Sequence, residues 1–146
     1  MLFELGLAEF QASPTLETIR NVTAPFFIFA KLRMDQDTTC LDDPSLKEAG
    51  AQMLLTYLVS LNNLTNQNGF CRPQVAAAFS YDKLIASKIS DLAKRFLKEK
   101  LPPPYWISSH GTQRADAPGT LKPENEWAPL REAYMNTILD ELNKMT

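Results

Sequence analysis

The chain has 146 residues, of which 45% are hydrophobic, 10% aromatic and 22% charged, with 10 prolines, 5 glycines and a formal net charge of -2. This is ordinary globular composition in a chain long enough for one well-buried core, so one domain spanning residues 1–146 is expected. The same totals exclude collagen-like, low-complexity and strongly basic nucleic-acid-coating proteins.

Cys40 and Cys71 lie far apart with no Cys-x-x-Cys spacing, which predicts free thiols in a reducing cytoplasm rather than a disulfide framework. The segment Met1–Phe10 lacks a basic n-region and is interrupted by Glu4 and Glu9, so it reads as neither a signal nor a transit peptide. The longest strongly apolar run, Ala24 to Ala30 with Pro25 inside it, is far below the roughly 20 residues that span a membrane. A cytoplasmic protein without a membrane partner is expected. Asn21-Val22-Thr23 and Asn63-Leu64-Thr65 match the glycosylation sequon, but without a secretory signal they read as chance.

In chain order, Leu2 to Gln11 is a short amphipathic segment ended by Ser13-Pro14, with Ser13 placed to cap the next helix and Pro14 at its first position. That second helix carries Leu16, Ile19 and Val22, and Pro25 predicts a kink or break near Thr23-Ala24. Beyond it, Phe26, Phe27, Ile28, Phe29, Leu32 and Met34 are apolar nearly all round, the pattern of a centrally buried helix. Asp35 to Asp43 reads as an acidic loop. It lacks the central Gly and distal Glu of a calcium loop, and acidic residues suit the positive end of the helix that follows.

A third helix is expected from about Pro44 to Leu61, with Leu46, Ala49, Met53, Leu54, Tyr57, Leu58 and Leu61 in helical spacing and Asn62 to Gly69 as its stop. Arg72-Pro73 opens a short apolar helix over Val75 to Phe79, and Ser80-Tyr81-Asp82 leads into a long one from Lys83 to Lys100. Pro102-Pro103-Pro104 ends it, and residues 101–126 form a long Pro-rich loop without periodicity. The last helix starts at Ala128 or Pro129 and runs to Met145 with Leu130, Tyr134, Ile138, Leu142 and Met145 on one stripe. With no strand alternation, the fold class is all-α: a helical bundle of about five helices with a long loop before the last.

Catalytic patterns are thin. His110 is the single histidine, no zinc spacing occurs, and Ser108-Ser109-His110 are neighbours in a loop rather than a folded triad. No carboxylate pair sits in an apolar setting, and the glycines Gly6, Gly50, Gly69, Gly111 and Gly119 are scattered singly, which excludes a P-loop. A non-enzymatic protein without cofactor or metal is expected.

Charge placement says more than net charge. Residues 1–71 carry four basic and eight acidic side chains, residues 72–100 seven and three, and residues 101–146 four and six. On a helical wheel Ile85, Ile89, Leu92 and Phe96 share one face, while Lys83, Lys88, Lys94, Arg95 and Lys98 gather opposite, with Asp91 among them. Such a row on one helix can neutralise successive phosphates of RNA or single-stranded DNA, a sequence-independent and salt-sensitive affinity. The ordinary alternative is a solvated polar face opposite a core stripe. Arg114 and Lys122 extend the charge into the loop, where Tyr105 and Trp106 either stack on an unpaired base or pin the loop to the bundle. Arg72 to Ile89 also has the outline of a helix-turn-helix, without the usual turn glycine and with few base-reading side chains at the start of its second helix.

A small, motif-free, all-helical chain with one basic helix flank resembles the small subunits of multi-subunit CRISPR effector complexes of the Cascade type. The resemblance rests on the helical pattern from Leu2 to Met145 and on Lys83, Lys88, Lys94, Arg95 and Lys98 as backbone contacts, and the net acidity of this chain departs from more basic members. It implies an antiviral-defence subunit that binds crRNA and target DNA through phosphates and packs against other protein subunits, including several copies of itself. The acidic regions 1–71 and 101–146 could then meet a neighbour's basic face head to tail. The opening at Met1 directly into an amphipathic segment is compatible with an origin as the C-terminal part of a larger subunit. The alternatives are a helical adaptor that docks a protein partner without nucleic acid, and a helix-turn-helix regulator.

Overall fold

The computed structural model describes the backbone of residues 2–40, 47–97, 106–108, 111–113 and 122–145, and side chains within 2–40, 54–96 and 122–144. The fold is all-α. Helix α1 spans Leu2–Ala12, α2 Leu16–Thr18, a π-helical segment Ile19–Thr23, α3 Ala24–Thr38, α4 Lys47–Gln67, α5 Arg72–Ala78, α6 Lys83–Leu97 and α7 Glu124–Met145. Because α2, the π segment and α3 are continuous, the described residues form six helical rods, in keeping with the expected bundle of about five.

Pro25 does not break the second rod. The chain instead widens into one π turn, with the Ala24 N–H bonded to the Ile19 carbonyl, and the rod continues through Pro25 into α3, where the Asn21 carbonyl accepts from Lys88 in place of a helical donor. The rod is capped by Thr15, whose Oγ1 accepts from the Thr18 N–H at 3.0 Å, and not by Ser13. Its far end runs through Asp35 and Asp37 to Thr38, so the first half of the expected acidic loop is helix.

Ion pairing explains that extension. Asp37 accepts from buried Arg131 of α7 at 3.0 Å and lies 3.5 Å from Arg33 one turn back, while Asp35 pairs with Lys31 at 2.6 Å. Buried Gln36 donates to the Arg131 carbonyl at 2.9 Å and accepts from Arg33. The Cys40 carbonyl accepts from the Lys122 N–H at 2.8 Å, and the Lys122 carbonyl accepts from Trp127 Nε1 at 2.8 Å. These bonds hold the end of α3 against the start of α7. Helix α7 opens one turn earlier than Pro129 predicts: Glu124 and Glu126 favour a helix N-terminus, and Pro129 lies inside the helix, where it removes one donor.

Two apolar clusters share α3. Phe29 and Ala24 meet Ile85, Ala86, Ile89 and Ala93 of α6 and Met135 and Leu142 of α7. Phe27 and Ala30 meet Phe3 and Phe10 of α1, Ile19, Leu61 of α4 and Ala78 of α5. The all-round apolar pattern of α3 thus reports burial on two sides. Gly6 lets α1 close on it: a Cβ there would stand 3.1 Å from the Phe27 ring.

Helix α4 passes its expected polar stop and ends at Gln67, since Leu64 packs into the second cluster and Thr65 is buried. Gly69, at φ 82°, then closes it: the Phe70 N–H bonds to the Thr65 carbonyl at 2.9 Å and the Gly69 N–H to that of Asn66 at 3.1 Å. The Pro-rich stretch 101–126 is not wholly irregular, for β1 (Trp106–Ser108) pairs antiparallel with β2 (Gly111–Gln113), Ile107 opposite Thr112, and β1 lies against α4. The two cysteines are free, Cys40 buried and Cys71 exposed. Among the described residues no helix is long and apolar enough to cross a membrane, and no group of three or more His, Cys, Asp or Glu is placed to hold a metal ion.

Candidate nucleic-acid interface

Helix α6 is a two-sided element. Asp82 starts it, its Oδ1 accepting the Leu84 and Ile85 N–H groups at 3.1 and 3.2 Å, and its other oxygen is bound by Arg20 of the π segment. Ile85, Ala86, Ile89, Ser90 and Ala93 then face the core between α3 and α7. Phe96 closes the last described turn, 4.9 Å from the Phe29 ring with the Arg33 guanidinium 5.9 Å above its centroid. The helix axis is therefore fixed on three sides, and what remains outward is its charged face.

The five basic positions do not behave alike. Lys83, Lys94 and Arg95 are exposed, and none of them forms an ion pair among the described residues. Lys88 is half-buried, its Nζ donating to the main-chain carbonyl of Asn21 at 2.9 Å and to Asn21 Oδ1 at 3.2 Å. Lys98 lies outside the described residues, as do the side chains of Tyr105, Trp106, Ser108, Ser109, His110 and Arg114. Lys122, the remaining basic residue of the long loop, is tied to Cys40 through its backbone.

Helix α6, the π segment and the start of α3 border a groove of about 340 Å³ with an apolar floor of Val22, Pro25, Phe26 and Leu92. Lys88, Asp91 and Arg95 stand along its α6 side. The wheel's single row thus divides: Lys88 and Arg95 border this groove, and Lys83 and Lys94 stand outside it. Pro25 and Phe26 are contributions that helical spacing on α6 alone cannot reveal. The aromatic run was legible, but which ring turns outward was decided by packing.

Among the described residues Arg20, Lys31, Arg33, Arg131 and Lys144 are paired with carboxylates, and the cations without an ion pair are Lys83, Lys88, Lys94 and Arg95 of α6 together with Arg72 and Lys122. Comparison of the chain with protein-family models, with curated proteins and with solved structures finds no match.

Proposed function

We propose that the chain is a non-enzymatic subunit of a cytoplasmic nucleoprotein complex that holds a nucleic-acid backbone along the outer face of α6. The observation that carries this reading is the set Lys83, Lys94 and Arg95, exposed and without an ion pair among the described residues, on one helix whose other sides are locked into the bundle. Fixed cations lose little entropy on meeting phosphates, and the counterions they displace supply the affinity. The Phe26 edge of the groove beside Arg95 favours a single strand, whose bases are free to stack, over a duplex. The CRISPR-type resemblance supplies the candidate strands, crRNA and target DNA, with Lys88 in a supporting position and Lys98 as a further contact.

The test is a titration of labelled single- and double-stranded DNA and RNA across a salt series. Three phosphate contacts on a single strand give a log–log salt slope of about -2, and each of Lys83→Gln, Lys94→Gln and Arg95→Gln lowers its magnitude by about 0.7. Preference for one duplex sequence would favour the helix-turn-helix alternative. Absence of binding to every strand, with the variants folded, overturns the reading and leaves the adaptor.

A further inference from the structure

Asp91 is the anomaly of the outer face of α6. It is exposed on the wall of the groove, one turn from Lys88 and one from Arg95, and forms no ion pair among the described residues. A carboxylate beside a phosphate track repels the strand, so a helix that only neutralised phosphates would bind more tightly without it. Lys88 is engaged by Asn21, which leaves Asp91 and Arg95 as the charged groups of this wall that can turn to a ligand. Below them the floor is apolar and includes the half-buried ring of Phe26, and the volume of about 340 Å³ is at the small end of ligand pockets.

We propose that this groove is a nucleobase subsite, in which one base of the bound strand lies over Phe26 and Asp91 accepts hydrogen bonds from its edge, so that guanine is selected. The proposal rests on strand binding by α6 and adds to it the base that is preferred. The occupant follows from the three kinds of surface that adjoin here. Exposed Lys83, Lys94 and Arg95 call for an anion, the floor for an uncharged apolar face, and Asp91 for N–H donors. A nucleotide carries phosphate, ring face and donor edge in one unit, and aromatic stacking combined with edge hydrogen bonds is how unpaired bases are recognised. The base follows from the carboxylate, which accepts and does not donate. Guanine sets two donors side by side, N1–H and the N2 amino group, and both oxygens of Asp91 accept from them as a bidentate pair. Adenine and cytosine place a ring-nitrogen acceptor beside a single amino donor, and thymine and uracil flank N3–H with two carbonyl oxygens, so each leaves one carboxylate oxygen facing an acceptor.

Binding of labelled oligothymidylate is compared, at one salt concentration, with that of the same strand carrying a few spaced guanines and of one carrying inosine at those positions, since inosine keeps N1–H and lacks the amino group. The guanine strand is expected to bind about tenfold more tightly than the all-thymine strand. Inosine loses about threefold of that gain, a comparison that needs no variant. Asp91→Ala, at an exposed helical position, makes the three strands equal with unchanged helical circular dichroism. It holds the all-thymine strand at least as tightly as the native chain does, because a repulsive charge is gone. Equal binding of the three strands by the native chain, or a guanine preference that survives Asp91→Ala, overturns the subsite and leaves backbone binding standing. Binding of no strand overturns both.

Discussion

The Lys88 ammonium donates at 2.9 Å to the main-chain carbonyl of Asn21, the acceptor that Pro25, four residues on, deprives of its helical donor. A side chain that looks from its spacing like one of a row of phosphate contacts is thereby engaged in closing the backbone defect of the neighbouring rod. Lys88→Ala is expected to lower unfolding stability by about 1–2 kcal/mol, as for a charge-assisted hydrogen bond at a partly buried acceptor. It should reduce the salt slope of strand binding less than Lys94→Ala does. Urea unfolding with the salt series decides it; a Lys88 variant of native stability that loses most binding reverses the assignment.

The Asp37–Arg131 pair behaves as a buried one. Burial raises the Asp37 carboxyl above its ordinary value, overcoming the attraction of Arg33 and Arg131, so its ionised form is disfavoured by folding even while paired. Between the unfolded and folded pKa values the native state holds the extra proton, and this group makes stability fall as pH rises through that window. Asp37→Asn removes that pH dependence. It also takes from the buried guanidinium the carboxylate 3.0 Å away, and costs about 3 kcal/mol at neutral pH. Asp37→Leu combined with Arg131→Met should recover most of that loss, which denaturant unfolding of the single and double variants measures.

Two tyrosines make stability depend on alkaline pH. Tyr57 donates to Glu4 at 2.7 Å and Tyr134 to Asp35 at 3.4 Å, and burial together with those carboxylates pushes both phenols from 10 to about 12. A phenol whose folded pKa exceeds its unfolded one destabilises the fold as pH rises from 10 to about 12, because only the unfolded chain releases the proton there. Tyr57→Phe with Tyr134→Phe is expected to flatten the fall in thermal midpoint over that range. The tyrosinate absorbance of each single variant assigns the late titration to its residue.

At Gly69, a left-handed φ of 82° ends α4, and nothing lies within 4 Å of where a Cβ would stand. Gly69→Ala therefore meets no clash and reports backbone strain alone. The expected loss is about 1 kcal/mol in chemical unfolding, with the strand affinity unchanged.

Hydrophobic periodicity and proline punctuation were enough to predict an all-α chain, the central burial of α3, the order of the helices and the core stripe of Ile85 and Ile89 on α6, because these follow from spacing within a single helix. What packing decided lies between helices. Asp35 and Asp37 look like loop residues until Arg33 and Arg131 are brought to them, and Asn62 to Gln67 look like a stop until Leu64 and Thr65 find a core. Pro25 reads as a break until a π turn and a lysine from another helix absorb its missing donor. The charge-free stretch of α4 is visible in the sequence, but only the tertiary structure shows that Leu55, Leu58 and Val59 are turned away from the core, since periodicity marks an apolar stripe without saying which neighbour covers it.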